Sequence, residues 1–388
     1  MKFRKAVFWL HLFCGFVSGI IVLIMSLTGV ALTYQKQMTA WADKRLYNIQ
    51  VPADPAPVSA EMILEKFQEA RPEPGPITIA ISSDPGMPAS ITSGLNEVTF
   101  VNPYTGEILG PGSHGMRTFF RIMTDWHRWL ALSGENRGIG RAVTGACNSV
   151  FLFLVVSGLY LWWPAKWTTG ILRALAWFRL GATGKARDSN WHYVFGFWCI
   201  VPLIFIVTSG VVISYSWASN LVFQLAGSEP PRGGLRGPGG PGGRPGMIPG
   251  MDRNRPPLQL DGLDALVSHV QKNAGDWKTI SFQPSTVADK AAVFTVDKSL
   301  GGMPQLRSTL TLDKTSSEIV RSEKFEHMNT GLRARLWMRF VHTGEYYGIV
   351  GQTIAGIASV AGVILVWTGI ALSFRRYSSW LRRRAEAK

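Results

Sequence analysis

Four stretches of this chain hold no acidic or basic residue: between Lys5 and Lys36, Arg141 and Lys166, Asp188 and Glu229, and Glu345 and Arg375. Each is apolar. A bilayer core about 30 Å thick takes roughly 20 helical residues to cross, so the pattern predicts membrane spans at 7–34, 142–163, 191–216 and 350–374. Composition agrees, since 17% of the residues are charged against about a quarter in an ordinary globular chain. The first apolar run is about twice the length of a signal-peptide core and no small-x-small cleavage site follows it, so it reads as an uncleaved anchor.

Lys and Arg are retained on the cytoplasmic side of a membrane, and the segments between spans divide cleanly on that count. Residues 1–6, 164–190 and 375–388 carry 14 Lys and Arg against two acids, Asp188 and Glu386, whereas 35–141 and 217–349 carry 26 against 23. The first three are therefore a cytoplasmic N-terminus, loop and tail, and the other two are extracytoplasmic. Most of the +15 net charge is thus accounted for by topology, leaving no domain-sized basic surface for nucleic acid. Cys14, Cys147 and Cys199 all fall inside spans, where they read as small core side chains. None belongs to a Cys-x-x-Cys-His sequence, which excludes covalent c-type haem.

The chain repeats itself. With His11 set on His192, Gly15 falls on Gly196, Thr28-Gly29 on Ser209-Gly210 and Tyr34 on Tyr215. Gly145 likewise matches Gly356, and Ser157-Gly158 matches Thr368-Gly369. The aromatic stretch ending at His127 and followed by Gly134-Glu135 resembles the one ending at His342 and followed by Gly344-Glu345. Two spans per unit make this a parallel repeat about an axis along the membrane normal.

Both extracytoplasmic segments read as a helix followed by strands. In the first, 58–70 has helical spacing, Ile77–Ile81 and Val98–Val101 are predicted strands, and Asn102-Pro-Tyr-Thr-Gly-Glu107 is a turn. The second has a helix over 258–270, strands near 278–282, 292–296 and 307–312, and the turn Asp313-Lys-Thr-Ser-Ser-Glu318. Two small α+β domains are expected. Ser228–Pro257, dominated by Gly and Pro and carrying Arg232, Arg236, Arg244, Arg253 and Arg255, has the composition of a flexible linker.

Four of the seven histidines stand at span edges. His11 and His192 open spans one and three on one membrane face, while His127 and His342 lie in amphipathic preludes on the other. Ionisable residues at such depth are costly and point to function when a partner can be named, and the repeat axis pairs His11 with His192 and His127 with His342. Two opposed imidazoles with no Cys, Asp or Glu beside them suit the axial positions of a haem iron, whereas zinc recruits further ligands. Flat space for each haem would come from Gly15 and Gly196, one turn from the inner ligands, and from Gly29, Gly210, Gly158 and Gly369 at the two depths. Arg121, Arg128, Arg335 and Arg339 outside, and Lys5, Arg187, Arg375 and Arg376 inside, are candidate partners for haem carboxylates. His114, His269 and His327 have no counterparts and read as structural.

His11 and Tyr34 are 23 residues apart, so span one covers about 35 Å at 1.5 Å per residue. Haems at both faces would bridge most of that distance and carry electrons across the membrane. The cytoplasmic segments are too short for a nicotinamide or flavin domain and no Gly-x-Gly-x-x-Gly follows a strand, so electrons come from quinol or a separate donor. His127 and His342 would then mark the electron exit.

Through Val101-Asn-Pro-Tyr-Thr-Gly-Glu-Ile-Leu109, the histidine-opened spans and the duplicated layout, the chain resembles the PepSY-associated transmembrane family over nearly its full length. The second turn departs from that pattern, with Lys314-Thr-Ser-Ser in place of Pro103-Tyr-Thr-Gly. The resemblance implies an α-helical protein of the bacterial inner membrane with two PepSY-like periplasmic domains and two haem b groups. Within the family it is most similar to ferric-siderophore reductases. That implies a hydroxamate-type ferric siderophore as substrate, with Trp41, Tyr47, Trp217, Tyr346 and Tyr347 as candidate docking aromatics, and ferrous iron as product. A general quinol-linked cytochrome b serving another periplasmic acceptor, and a non-redox PepSY regulator or chaperone, stay open as alternatives.

Overall fold

The computed structural model describes residues 2–54, 57–70, 77–93, 97–231, 261–284 and 289–386. The arginines of the Gly/Pro-rich linker lie outside the described residues, as do residues 258–260 of the second predicted helix. In chain order the elements of the first half are α1 (Lys2–Leu32), α2 (Gln35–Tyr47), α3 (Ala60–Ala70), β1 (Ile77–Ser82), β2 (Ala89–Ser93), β3 (Glu97–Val101), β4 (Ile108–Pro111), α4 (His114–Trp129) and α5 (Arg137–Trp162). After α6 (Thr169–Ala176) come α7 (Gly184–Trp198), α8 (Ile200–Ser214), α9 (Ser216–Leu225) and α10 (Leu263–Asn273). The chain closes with β5 (Thr279–Gln283), β6 (Ala291–Asp297), β7 (Arg307–Asp313), β8 (Ile319–Lys324), α11 (Thr330–His342) and α12 (Gly348–Glu386). These divide into a helical unit, residues 1–34, 119–226 and 334–388, and a sheet unit, residues 35–118 and 227–333.

In the helical unit α1 packs against both α5 and α12, α8 against α5, and α7 against α12, so the spans follow one another around the bundle in chain order and each half contributes two neighbouring spans. Polar side chains inside it return their hydrogens to the preceding turn of their own helix: Ser18 Oγ donates to Cys14 O at 2.8 Å and Thr28 Oγ1 to Ile24 O at 2.7 Å. Such internal satisfaction is what hydrocarbon demands of a buried hydroxyl. Among the described residues, three helices are long and apolar enough to cross a membrane: α1, α5 with the turn before it, and α12 with the turn before it.

The predicted third span is not one straight helix. It is the pair α7 and α8, bent by 71° at Cys199. Pro202 explains the break, because it lacks the N–H that would bond Trp198 O and its ring clashes with that carbonyl. The chain relaxes at Cys199, at φ −101° and ψ 4°, and restarts with Pro202 in the first turn of α8. The repeat-equivalent residue in α1 is Ile21, and α1 runs unbroken. Helix ends also lie beyond the predicted spans, since α1 begins at Lys2, α5 at Arg137 and α7 at Gly184, and α12 continues to Glu386.

The sheet unit corrects the expectation of two domains. Each soluble segment supplies one sheet-packed helix and four strands, but the eight strands form a single antiparallel sheet ordered β4-β3-β2-β1-β5-β6-β7-β8. The halves join where β1 pairs with β5, with Ile79 opposite Phe282 and Ile81 opposite Ile280. Pairing removes two exposed strand edges that separate domains would each have had to protect. The edges that remain are the four-residue β4 and the fully exposed, charge-bearing β8. Ile77, Ile79, Ile91 and Val101 share one core with Ile280, Phe282, Phe294 and Leu312 under α3 and α10.

These two helices also cap one another. Asp264 Oδ1 accepts from Ala60 N at 2.6 Å and Glu61 N at 3.4 Å, and Glu61 Oε1 accepts from Asp264 N at 3.3 Å. A carboxylate from each half thereby serves orphan N–H groups, and the positive dipole end, of the other half's helix. The two predicted turns are alike despite their sequences. Asn102 Oδ1 accepts from Tyr104 N at 2.9 Å, while Asp313 Oδ1 accepts from Thr315 N and Ser316 N at 2.9 Å, which holds the Asp313 carboxyl below its usual range. Ser317 (φ +57°) adopts the left-handed conformation that Gly106 (φ +69°) takes in the first turn, at a cost of roughly 1–2 kcal/mol for a residue with a Cβ.

Because the core is shared, Phe282→Ala, removing a ring that is 2% exposed, should cost about 3–5 kcal/mol. Hydrogen exchange should accelerate in β1 and β2 as well as in β5 and β6. Acceleration confined to residues 261–324 would instead mean two independent domains.

Candidate functional site

The four span-edge histidines occupy equivalent places in the helical unit. His11 lies on α1 and His192 on α7, while His127 is near the end of α4 and His342 ends α11. Each of the last two helices turns back sharply into a span, and glycine permits the turn. A Cβ on Gly140 would collide with Trp129 O, and one on the repeat-equivalent Gly351 with Gly344 O. These contacts press the histidine-bearing helices onto α5 and α12.

All four imidazoles use Nδ1 in the same way. His127 Nδ1 lies 2.9 Å from Met25 O and 3.0 Å from Thr28 Oγ1, and His342 Nδ1 lies 2.8 Å from Ile206 O and 3.2 Å from Ser209 Oγ. A carbonyl can only accept, so Nδ1 carries the hydrogen in both rings. His11 Nδ1 lies 2.8 Å from Ser157 Oγ, and His192 Nδ1 lies 2.9 Å from Thr368 Oγ1. Both hydroxyls already donate, Ser157 to Phe153 O and Thr368 to Ile364 O, each at 2.7 Å. They therefore accept from the imidazoles. In every case Nε2 is left with a free lone pair, the state of a metal-ligating histidine whose second nitrogen is held by an outer partner.

At one end of the bundle His127 and His342 face each other with ring centres 6.3 Å apart and planes at 64°. A metal–imidazole bond of about 2.0–2.1 Å, plus roughly 1.1 Å from nitrogen to ring centre, places two rings opposed across one ion about 6.3 Å apart. Burial pushes both imidazoles down to about 4, with the charge of Arg128 adding to the effect on His127 and those of His127 and Arg339 to the effect on His342. Both are neutral at physiological pH and able to donate a lone pair.

At the other end His11 and His192 line one cavity of ≈ 790 Å³, walled by Gly15, Gly196, Val155 and Leu365 and carrying Arg4, Lys5, Lys185 and Arg376. Its volume lies within the range of about 300–1,000 Å³ usual for small-molecule and cofactor sites. Among the described residues, no group of three or more His, Cys, Asp and Glu side chains gathers at either pair. Each site is a two-imidazole site.

A family model, the PepSY-associated TM region, matches residues 8–376. The chain belongs to this family. No curated protein matches it. As a member of the PepSY-associated TM family with several apolar helices, it is a membrane protein.

The remaining expected site residues in this family member divide. Gly15 and Gly196 border open space, a Cβ on them meeting only Leu154 at 3.9 Å or Leu365 at 3.7 Å. Gly29, Gly158 and Gly369 instead lie against imidazole edges, where a Cβ would meet Cε1 of His127, His11 and His192 at 3.6, 3.4 and 3.6 Å. Gly210 faces the Asn148 amide rather than a histidine. The Ser or Thr before each of these four glycines is the half of the pair that meets an imidazole, and its recurrence in all four spans is the trace of that contact in the sequence.

Among the cations, Lys5 and Arg376 reach the inner cavity, but Arg187 and Arg375 are committed to buried Asp188 at 2.9 and 3.2 Å. Arg121 is exposed and Arg335 buried. Of the aromatic residues, Trp217 stacks on Tyr215, Tyr347 accepts from Trp337 Nε1 at 3.2 Å, and Tyr346 packs edge-on to Tyr347. In the sheet unit Tyr47 donates to Pro111 O, and exposed Trp41 carries Arg45 against its face.

Gly351→Ala should overpack the α11–α12 turn and lower stability by about 1–3 kcal/mol. Gly138→Ala, where nothing lies within 4 Å, should be neutral or stabilising by up to roughly 1 kcal/mol. Thermal unfolding in detergent distinguishes them, and equal effects would show that close approach does not set the turn.

Proposed function

We propose that the protein is a b-type haem oxidoreductase of the bacterial inner membrane, passing electrons across it to a ferric siderophore in the periplasm. The observation that carries this reading is the His127–His342 pair. Its ring separation of 6.3 Å is the spacing that two imidazoles holding one metal ion between them would have, and its Nδ1 bonds leave both Nε2 atoms free to bind. The residues present therefore fit haem at this pair, and at the other end the apolar cavity carrying His11 and His192 fits a flat ligand with acidic groups. Haem supplies a reversible one-electron carrier.

The chain's own residues do the rest. Ser157, Thr368, Met25 O and Ile206 O fix imidazole tautomer and orientation, and the apolar spans exclude water. Thr28, which contacts His127, lies 17 residues beyond His11 on α1, so the two pairs are about 25 Å apart along that helix. The distance suits transfer between membrane faces. The charge asymmetry between the segments supports cytoplasmic termini and a periplasmic sheet unit, and quinol or a separate reductase is the proposed electron donor.

Ferric siderophore is the substrate, of hydroxamate type. A hexadentate oxygen chelate offers no open position, so the protein docks it without ligating its iron. Each chelate takes one electron, and a quinol giving two would serve two chelates. Ferrous iron holds hard oxygen ligands less tightly than ferric iron and is released.

Absorbance of the detergent-purified chain, oxidised and dithionite-reduced, with a pyridine haemochrome assay, should give two haem b per chain. His127→Ala with His342→Ala should leave one haem and abolish reoxidation by ferric hydroxamate siderophore. Ser157→Ala or Thr368→Ala should weaken haem retention about 10–100-fold. A colourless wild-type protein would overturn the reading.

A further inference from the structure

Arg335 is 3% exposed. Among the described residues it forms no ion pair, and its one hydrogen bond runs from Nε to Ser219 Oγ at 2.9 Å. Four of the five guanidinium N–H groups therefore lack an acceptor. Arg339, one turn further along α11, adds a second positive charge to the surroundings of Arg335. A buried, unpaired cation is strongly unfavourable unless an anion accompanies it.

The duplication sharpens the point. With His127 set on His342, the counterpart of Arg335 is Phe120, which is 1% exposed. The first half fills the position with a ring, as a structural role requires, and the second half fills it with a charge. Arg335 stands seven residues before His342, two turns along the same face of α11, so its guanidinium and the imidazole line one side of the helix about 10 Å apart in rise.

We infer that Arg335 is a carboxylate-binding residue that fixes the orientation of the haem held by His127 and His342 by pairing with one of its propionates. The inference rests on the haem reading above. A guanidinium and a carboxylate form two parallel N–H···O bonds, which would satisfy the free donors and give a haem held at this pair one preferred orientation. The position of Phe120 offers no such bond, so this contact has no counterpart at the equivalent place in the first half.

The test is a chemical cycle on the full chain in detergent, freed of haem and titrated with haem b or its dimethyl ester, occupancy of the outer site being read from the Soret band in a His11→Ala, His192→Ala background. The parent should bind the diester about tenfold or more less tightly than haem. Arg335→Met should bind the two alike, and Arg335→Lys should recover part of the discrimination. Equal binding of both haems by the parent, or unchanged discrimination in Arg335→Met, would overturn the inference while leaving two haems per wild-type chain intact. Undiminished discrimination accompanied by loss of tightly bound anionic phospholipid in native mass spectrometry of Arg335→Met would assign the site to a lipid headgroup. A wild-type chain that takes up no haem would overturn the inference and the reading beneath it together.

Discussion

An imidazole placed inside an apolar helix bundle must find a partner for its N–H, and the bundle is arranged around that requirement. Four histidines donate Nδ1–H to a carbonyl or to a hydroxyl whose own hydrogen is spent one turn back on its helix. Each bond crosses from one helix to another: His11 to α5, His192 to α12, His127 to α1 and His342 to α8. The bonds thus hold the bundle together and prepare four identical lone pairs. A water-facing histidine would have no such constraint, and its free nitrogen would point anywhere.

The duplication is followed where function needs symmetry and broken where local chemistry intervenes. The Ser/Thr-Gly pairs, Gly140 with Gly351, and the reciprocal capping of α3 and α10 all obey it. Pro202 breaks it by bending the third span, and Arg335 in place of Phe120 breaks it by burying a charge. Ser317 takes the place of Gly106 in the same left-handed conformation, in a turn held by two hydrogen bonds to Asp313. A repeated architecture therefore tolerates differences that leave backbone hydrogen bonding intact, and it changes shape where one is deleted.

The sheet unit solves a different problem. Four strands per half bury one face under a single helix and leave an edge open. Joining β1 to β5 closes that edge, and the two helices exchange capping carboxylates, so each half completes the other. Neither contact has a local signature, since β1 and β5 are separated by about two hundred residues and a strand's partner is not written in its own alternation.

Charge-free stretches, the repeat and the placement of His11, His192, His127 and His342 were legible in the chain itself, because hydrocarbon thickness and the cost of buried charge act on local sequence. The strands at Ile77–Ile81 and 307–312 were legible from their runs of apolar and β-branched residues, while β2, β4 and β8 are too short or too polar to stand out. The role of Thr28, Ser209, Ser157 and Thr368, the commitment of Arg187 and Arg375 to Asp188, the single sheet and the isolation of Arg335 were decided only by tertiary structure. Each depends on which atom of a distant segment lies within hydrogen-bonding reach, and that distance is a property of the packed chain rather than of any stretch of it.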